Sequence, residues 1–175
     1  MKLSYAITVC NELNEIQTLV TFLLEHKRAE DEVVITYDSK NGSKDVEDYL
    51  RAKSVNSEFN WHSFEFDNDF AKLKNHTKKM CSGDFIFHLD ADEVPHVQKW
   101  GWVVNENGWV NYPDYQARVF RNIDGIEWVK PVHEYISGPK TYAHLPPNEE
   151  LSLYHPKTID RQEKQNNLYN GIQRG

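Results

Sequence analysis

The sequence predicts a single α/β domain with a mainly parallel central sheet. Short apolar, β-prone runs alternate with segments of helical spacing over residues 1–93. Such alternation builds parallel sheets with right-handed crossovers. The run Phe85-Ile86-Phe87-His88-Leu89 leads straight into Asp90-Ala91-Asp92-Glu93. An apolar run of that length reads as a strand buried on both faces. Buried carboxylates cost several kcal/mol unless paired or metal-bound, so the acidic cluster marks the point where the strand leaves the core. A hydrophobic content of 39% over 175 residues supplies a sizeable core and excludes a disordered chain.

Taken in order, Leu3 to Val9 reads as the first strand. Asn11 is placed to cap a helix carrying Ile16, Leu19, Val20, Leu23 and Leu24 up to about Arg28. Glu32 to Tyr37 is the second strand and ends at Asp38, followed by the loop Ser39-Lys40-Asn41-Gly42. Ser43 caps a helix with Val46, Tyr49 and Leu50. Trp61 to Phe66 is the third strand. Asp67-Asn68-Asp69 opens a helix with Phe70, Leu73, Thr77 and Met80 on one face, and Gly83 is its stop signal. The strand at Phe85 is the fourth.

The second half is less regular. His96 to Val110 reads equally as helix fragment or loop and is rich in Trp and Gly. Tyr115 to Arg121 reads as a strand. Ile126 to Ile136 reads as another, interrupted at Pro131 and therefore bulged or at an edge. Gly138 to Pro147 is loop, Leu151 to His155 a short strand, and Thr158 to Tyr169 a polar helical tail.

Several function classes are excluded at this level. The formal net charge of -7 argues against non-specific nucleic-acid binding. No apolar run approaches the roughly 20 residues needed to span a membrane, and the start of the sequence has no signal-peptide form. Two cysteines, Cys10 and Cys81, make no disulfide framework and suit a reducing, cytoplasmic setting. Neither a G-x-G-x-x-G nor a G-x-x-x-x-G-K-[ST] pattern is present, which disfavours a dinucleotide enzyme or a P-loop NTPase.

An ordered set of motifs carries a family resemblance. Phe70-Ala71-Lys72-Leu73-Lys74-Asn75, Gly83-Asp84-Phe85 and Leu89-Asp90-Ala91-Asp92-Glu93 resemble family 2 glycosyltransferases of the GT-A fold, a Rossmann-like nucleotide-diphospho-sugar transferase architecture. Val9-Cys10-Asn11-Glu12 is similar to that family's first strand exit and Asp38-Ser39-Lys40-Asn41-Gly42-Ser43 to its second. Pro113-Asp114-Tyr115-Gln116-Ala117-Arg118-Val119-Phe120-Arg121, Trp128 and Val132-His133-Glu134 resemble its lipopolysaccharide-core glucosyltransferase-like branch. Compared with that family, the chain looks shortened: only about twenty residues separate Glu93 from Asp114.

The resemblance implies a metal-dependent, inverting transfer of a sugar from a nucleotide-diphosphate donor, a UDP-sugar being favoured, to a saccharide or other hydroxyl acceptor. Residues 1–93 would be the nucleotide-binding half and 94–175 the half that completes the acceptor and metal sites. The DxD-type motif places Asp90 nearer the ribose and Asp92 nearer a Mn2+ or Mg2+ ion, for which carboxylate oxygens are suitable hard ligands. His155 is a further candidate ligand. Thr8, Val9, Glu12, Asp38 and Ala91 would line the nucleotide, with Lys74 meeting phosphate and Asn75 the ribose or sugar. Arg161 and Lys164 could close over the diphosphate from the tail. Glu134, then Asp114, is the candidate general base; a bland alternative pairs Glu134 with Arg118 or Arg121. Trp100, Trp102, Trp109 and Tyr112 could pack against sugar rings, the core or a second copy in a homo-oligomer. Two other readings stay open: a shortened module that binds a nucleotide sugar without transferring it, and a metal-dependent nucleotidyltransferase.

Overall fold

The computed structural model describes residues 1–56, 58–95, 116–146, 153–154 and 159–174. The expected alternation is present. It runs β1 (Leu3–Val9), α1 (Leu13–His26), β2 (Glu32–Asp38), α2 (Lys44–Lys53), a 3-10 turn (Ser54–Asn56), β3 (Asn60–Phe64), α3 (Phe70–Met80) and β4 (Phe85–Asp90). Beyond it come β5 (Val94–Pro95), β6 (Val119–Arg121), β7 (Glu127–Val129), β8 (Tyr135–Ser137), β9 (Leu153–Tyr154) and α4 (Ile159–Arg174).

The main sheet has the order β3-β2-β1-β4-β6. The first four strands are mutually parallel, and β6 runs antiparallel to β4. The chain leaves β1 for β2 and β3 on one side and returns to place β4 on the other. The switch point therefore lies at the carboxyl ends of β1 and β4, where ligands bind in open α/β sheets. Thr8 and Asp90 are register partners there.

Strand pleating sends successive side chains to opposite faces. Ile7, Val9, Val33, Ile35 and Leu89 join Ile16, Leu19, Val20 and Leu23 of α1 and Val46 and Leu50 of α2 in one core. Ala6, Val34 and Ile86 join Ala71, Phe120, Ile126, Trp128 and Ile136 in the other. Full burial of each aliphatic side chain contributes about 1.5–3 kcal/mol. The second face also carries polar residues. Thr77 of α3 donates its hydroxyl to Thr36 at 2.9 Å, and His88 and Asp90 share the parity of Ile86.

Local differences from the sequence reading have physical reasons. The span Ile126 to Ile136 is two strands rather than one: β7 and β8 form an antiparallel hairpin outside the main sheet. Lys130 and His133 adopt φ of 74° and 54° around Pro131, which reverses the chain. The Pro131 carbonyl accepts the Phe70 N–H at 2.9 Å and so satisfies a donor at the start of α3. Asn11 does not cap α1; Glu12 occupies that position, and its carboxylate accepts the backbone N–H groups of Cys10 and Asn11 at 2.9 and 3.0 Å. Asp69 does cap α3, accepting the Lys72 N–H at 3.0 Å. The third strand starts and ends slightly earlier than expected, at Asn60–Phe64, and the tail helix runs on to Arg174. Of the expected strand Leu151 to His155, Leu153–Tyr154 pairs with Val94–Pro95. Among the described residues, no helix is long and apolar enough to cross a membrane. The expectations for His96 to Val110, Tyr112, Asp114 and His155 lie outside the described residues.

Candidate functional site

Four sequence candidates meet at the end of β4. Thr8 donates its hydroxyl to Asp90 Oδ1 at 3.1 Å. Lys74 Nζ lies 3.5 Å from the same oxygen and 2.6 Å from Glu134 Oε1. Helical spacing brings Lys74 one turn inward from Phe70, so its side chain runs along the buried face of α3 and only 5% of it is exposed. Its ammonium also sits 4.6 Å from the centre of the Trp128 ring, a cation–π arrangement that favours the charged form.

The electrostatics follow from that packing. Burial alone would lower the Lys74 pKa, but Asp90 and Glu134 outweigh it and hold it above its ordinary value. Burial alone would raise that of Asp90, but the Lys74 ammonium, with Arg118 beyond it, overcomes this, and its carboxyl stays well below the usual carboxylate range. His88 is pushed down to about 4 by burial and by Lys74, so its imidazole is neutral at pH 7. Its Nε2 lies 3.6 Å from Asp90 Oδ1, too far for a hydrogen bond.

The rest of the acidic motif divides into different tasks. The Ala91 N–H donates to the Thr8 carbonyl at 3.1 Å, and Ala91 is buried. Asp92 Oδ2 is 3.4 Å from Arg161 Nη2 on α4. That guanidinium also reaches Glu12 Oε1 at 3.4 Å and Glu15 Oε1 at 2.9 Å. Glu93 is 1% exposed and pairs with Arg118. Sequence reasoning gave neither Glu93 nor Arg118 a role at the site. A polar His88 within an otherwise apolar strand was the one local signal that polar partners converge on that face.

Other candidates sit close by with their groups already engaged. Asp38 is buried at the end of β2. Its Oδ1 accepts the N–H groups of Lys40 and Asn41 at 2.9 and 3.1 Å, and its Oδ2 accepts from the Asn41 side chain at 2.9 Å. Glycine is required at position 42, because a Cβ there would collide with the Tyr37 ring and the Asp38 carbonyl. Asn75 donates to the Trp128 carbonyl at 2.8 Å and accepts the Trp128 N–H at 2.9 Å, which fastens β7 to α3. The Val9 side chain belongs to the core, so only its backbone faces the strand ends. Glu134 pairs with Lys74, rather than with the arginines of the bland alternative.

For a divalent cation, Asp90 and Asp92 are the candidate carboxylates. Among the described residues, no three His, Cys, Asp or Glu side chains form a preformed cage. Mg2+ and Mn2+ are commonly held by one or two carboxylates completed by substrate phosphates and water. Asp90 and Asp92 are carboxylates of that kind, and each already faces a cation: Lys74 and Arg118 lie 3.5 and 3.9 Å from Asp90, and Arg161 lies 3.4 Å from Asp92.

Among solved structures, Staphylococcus aureus TarS is similar over 53% of this chain and 17% of its own, with 23% identity and a TM-score of 0.46. TarS 1–349 in complex with UDP is similar over 53% of this chain and 28% of its own, at 25% identity and a TM-score of 0.45. The mannosyltransferase PcManGT from Pyrobaculum calidifontis, in complex with GDP-Man and Mn2+, is similar over the same shares, at 15% identity and a TM-score of 0.45. This chain thus spans well under two thirds of the length of those proteins. A search of curated proteins found no match. The family model described as glycosyl transferase family 2 matches residues 4–170, nearly the whole sequence, and the chain belongs to that family.

Proposed function

We propose that this chain transfers a sugar from a nucleotide-diphosphate donor, a UDP-sugar by preference, to a hydroxyl acceptor with inversion. The observation that carries the reading is the Lys74 bridge. It links Glu134 at 2.6 Å and Asp90 at 3.5 Å, joining a candidate base to the donor-side carboxylate at the switch point. Thr8, Asp90 and the strand exits at Glu12 and Asp38 form the nucleotide floor, with Asp92 beside the diphosphate. Asp92, with His155 as a further candidate ligand, would hold a Mn2+ or Mg2+ ion, which would supply Lewis-acid stabilisation of the charge on the leaving diphosphate.

Glu134 accepts the proton of the acceptor hydroxyl. The hydroxyl oxygen forms the new bond to the anomeric carbon, and the bond from that carbon to the β-phosphate oxygen breaks on the opposite side. Lys74 orients the Glu134 carboxylate through their 2.6 Å contact, and Asp114 is the second candidate for the base. Arg161 is placed to exchange its carboxylate partners for phosphate oxygens. The test is product analysis with UDP- and GDP-sugars over an acceptor panel, comparing the wild type with Glu134→Gln and Asp92→Ala. Release of a nucleoside diphosphate that Glu134→Gln slows by 100-fold or more supports the reading. Pyrophosphate as product would instead indicate nucleotidyl transfer. The short link from Glu93 to Asp114 favours a second reading, a module that binds the donor only; donor binding without transfer or hydrolysis would select it.

A further inference from the structure

We infer that Glu93 and Arg118 are a positioning pair that shapes the acidic turn and presents Asp92 to the diphosphate. The inference rests on the proposed donor site and assigns work to two residues outside it. The sheet supplies the starting point. Alternate N–H groups of β4 point towards β1 and towards β6. The Ala91 N–H points to β1, where it meets the Thr8 carbonyl, and the His88 N–H points to the other side, where it meets the Arg118 carbonyl at 2.9 Å. The Asp90 N–H points the same way as that of His88, beyond the span in which β6 pairs with β4. The Glu93 side chain takes the place of the next strand carbonyl: its Oε2 accepts the Asp90 N–H at 2.9 Å. In return the Glu93 N–H donates to the Asp90 carbonyl at 3.0 Å. These two bonds close Asp90-Ala91-Asp92-Glu93 into a tight turn with Asp92 at its tip.

A carboxylate as buried as Glu93 needs a charged partner. Arg118 is that partner. One end of its guanidinium binds Glu93 Oε1, and Nη1 lies 3.9 Å from Asp90 Oδ2. Arg118 therefore neutralises the one carboxylate of the motif that cannot reach a ligand, and it leans on the second. Glu93 touches no reacting atom in this account; it acts through the turn.

The test uses the full chain and the variants Glu93→Ala, Glu93→Gln, Arg118→Met and Arg118→Lys. Amide exchange is read by NMR, and affinity for UDP is measured with Mn2+ and with EDTA. Glu93→Ala is expected to speed exchange of the Asp90 amide at least about 10-fold relative to the β1 amides. It should also remove about 10-fold of the affinity that Mn2+ adds, as loss of an orienting partner behind a metal ligand does, while metal-free UDP binding changes less than about 2-fold. Glu93→Gln, which keeps an accepting oxygen, and Arg118→Lys, which keeps the charge, should retain more of both than Glu93→Ala and Arg118→Met, and they serve if the harsher variants fail to fold. Unchanged Asp90 exchange, or equal weakening of UDP binding with and without Mn2+, would overturn the inference. If the wild type binds no nucleotide at all, the donor-site reading fails, and the exchange of the Asp90 amide still decides whether Glu93 holds the turn.

Discussion

Replacing Lys74 with Met removes the buried cation that stands between Asp90 and Glu134. Met is close in length and packs well, so the loss is electrostatic rather than a cavity. Breaking a buried pair by deleting one partner costs about 3–5 kcal/mol. Asp90 is one-third exposed and keeps Thr8 and Arg118 nearby, so the lower end, about 3 kcal/mol, is expected. For a domain of this size that corresponds to a fall in Tm of roughly 6–12 °C. The sign with pH follows from the depressed Asp90 pKa. The stabilisation Lys74 gives through Asp90 is complete above the unfolded carboxylate pKa, near 4. It is lost as pH falls through the lower folded value, so the gap between wild type and variant narrows in acid. Urea denaturation of wild type, Lys74→Met and Lys74→Arg at pH 7 and pH 3 measures this. A Lys74→Met variant within about 1 kcal/mol of wild type at pH 7 would refute the bridge, because an exposed lysine behaves that way.

Three more expectations concern parts of the molecule away from the Lys74 bridge. Glu32, tied to Lys2, Ser4 and Ser82, has its pKa lowered to about 2: burial opposes the shift, and these hydrogen bonds overcome it. Its contribution, about 2–3 kcal/mol by linkage, is present above pH 4.5 and lost towards pH 2, and Glu32→Gln should flatten that part of the acid-stability curve. Burial pushes the thiols of Cys10 and Cys81 up to about 12, so neither should react with a thiol reagent at pH 7.5 until the chain unfolds. Leu89→Ala, at a fully buried position in the larger core, should cost about 2–5 kcal/mol in denaturant titrations.

The first half of the fold was legible because each element there obeys its own period. β1, β2 and β4 are apolar runs, and α1 and α3 carry their core residues at helical spacing. The hairpin of β7 and β8 was not, because nothing local announces that Lys130 and His133 take positive φ. That reversal depends on docking against the start of α3. Asp90 and Asp92 were legible as a strand-end pair, but the charge environment of that pair was not. It depends on Lys74, buried by tertiary packing although it lies among solvated lysines in the sequence. It depends also on Arg118, twenty-five positions beyond Glu93 and brought alongside it by the antiparallel β6. Asn75 illustrates the converse. Its side chain suits a sugar hydroxyl, and in the fold it takes both polar groups of the Trp128 backbone.

The most direct measurement of the central claim is a calorimetric titration of UDP- and GDP-sugars into the wild type and Asp92→Ala, each with Mn2+ and with EDTA. The account predicts saturable binding of at least one nucleotide sugar, strengthened by Mn2+ in the wild type and indifferent to it in Asp92→Ala. Absence of binding by every nucleotide sugar, or an undiminished Mn2+ effect in Asp92→Ala, would contradict it.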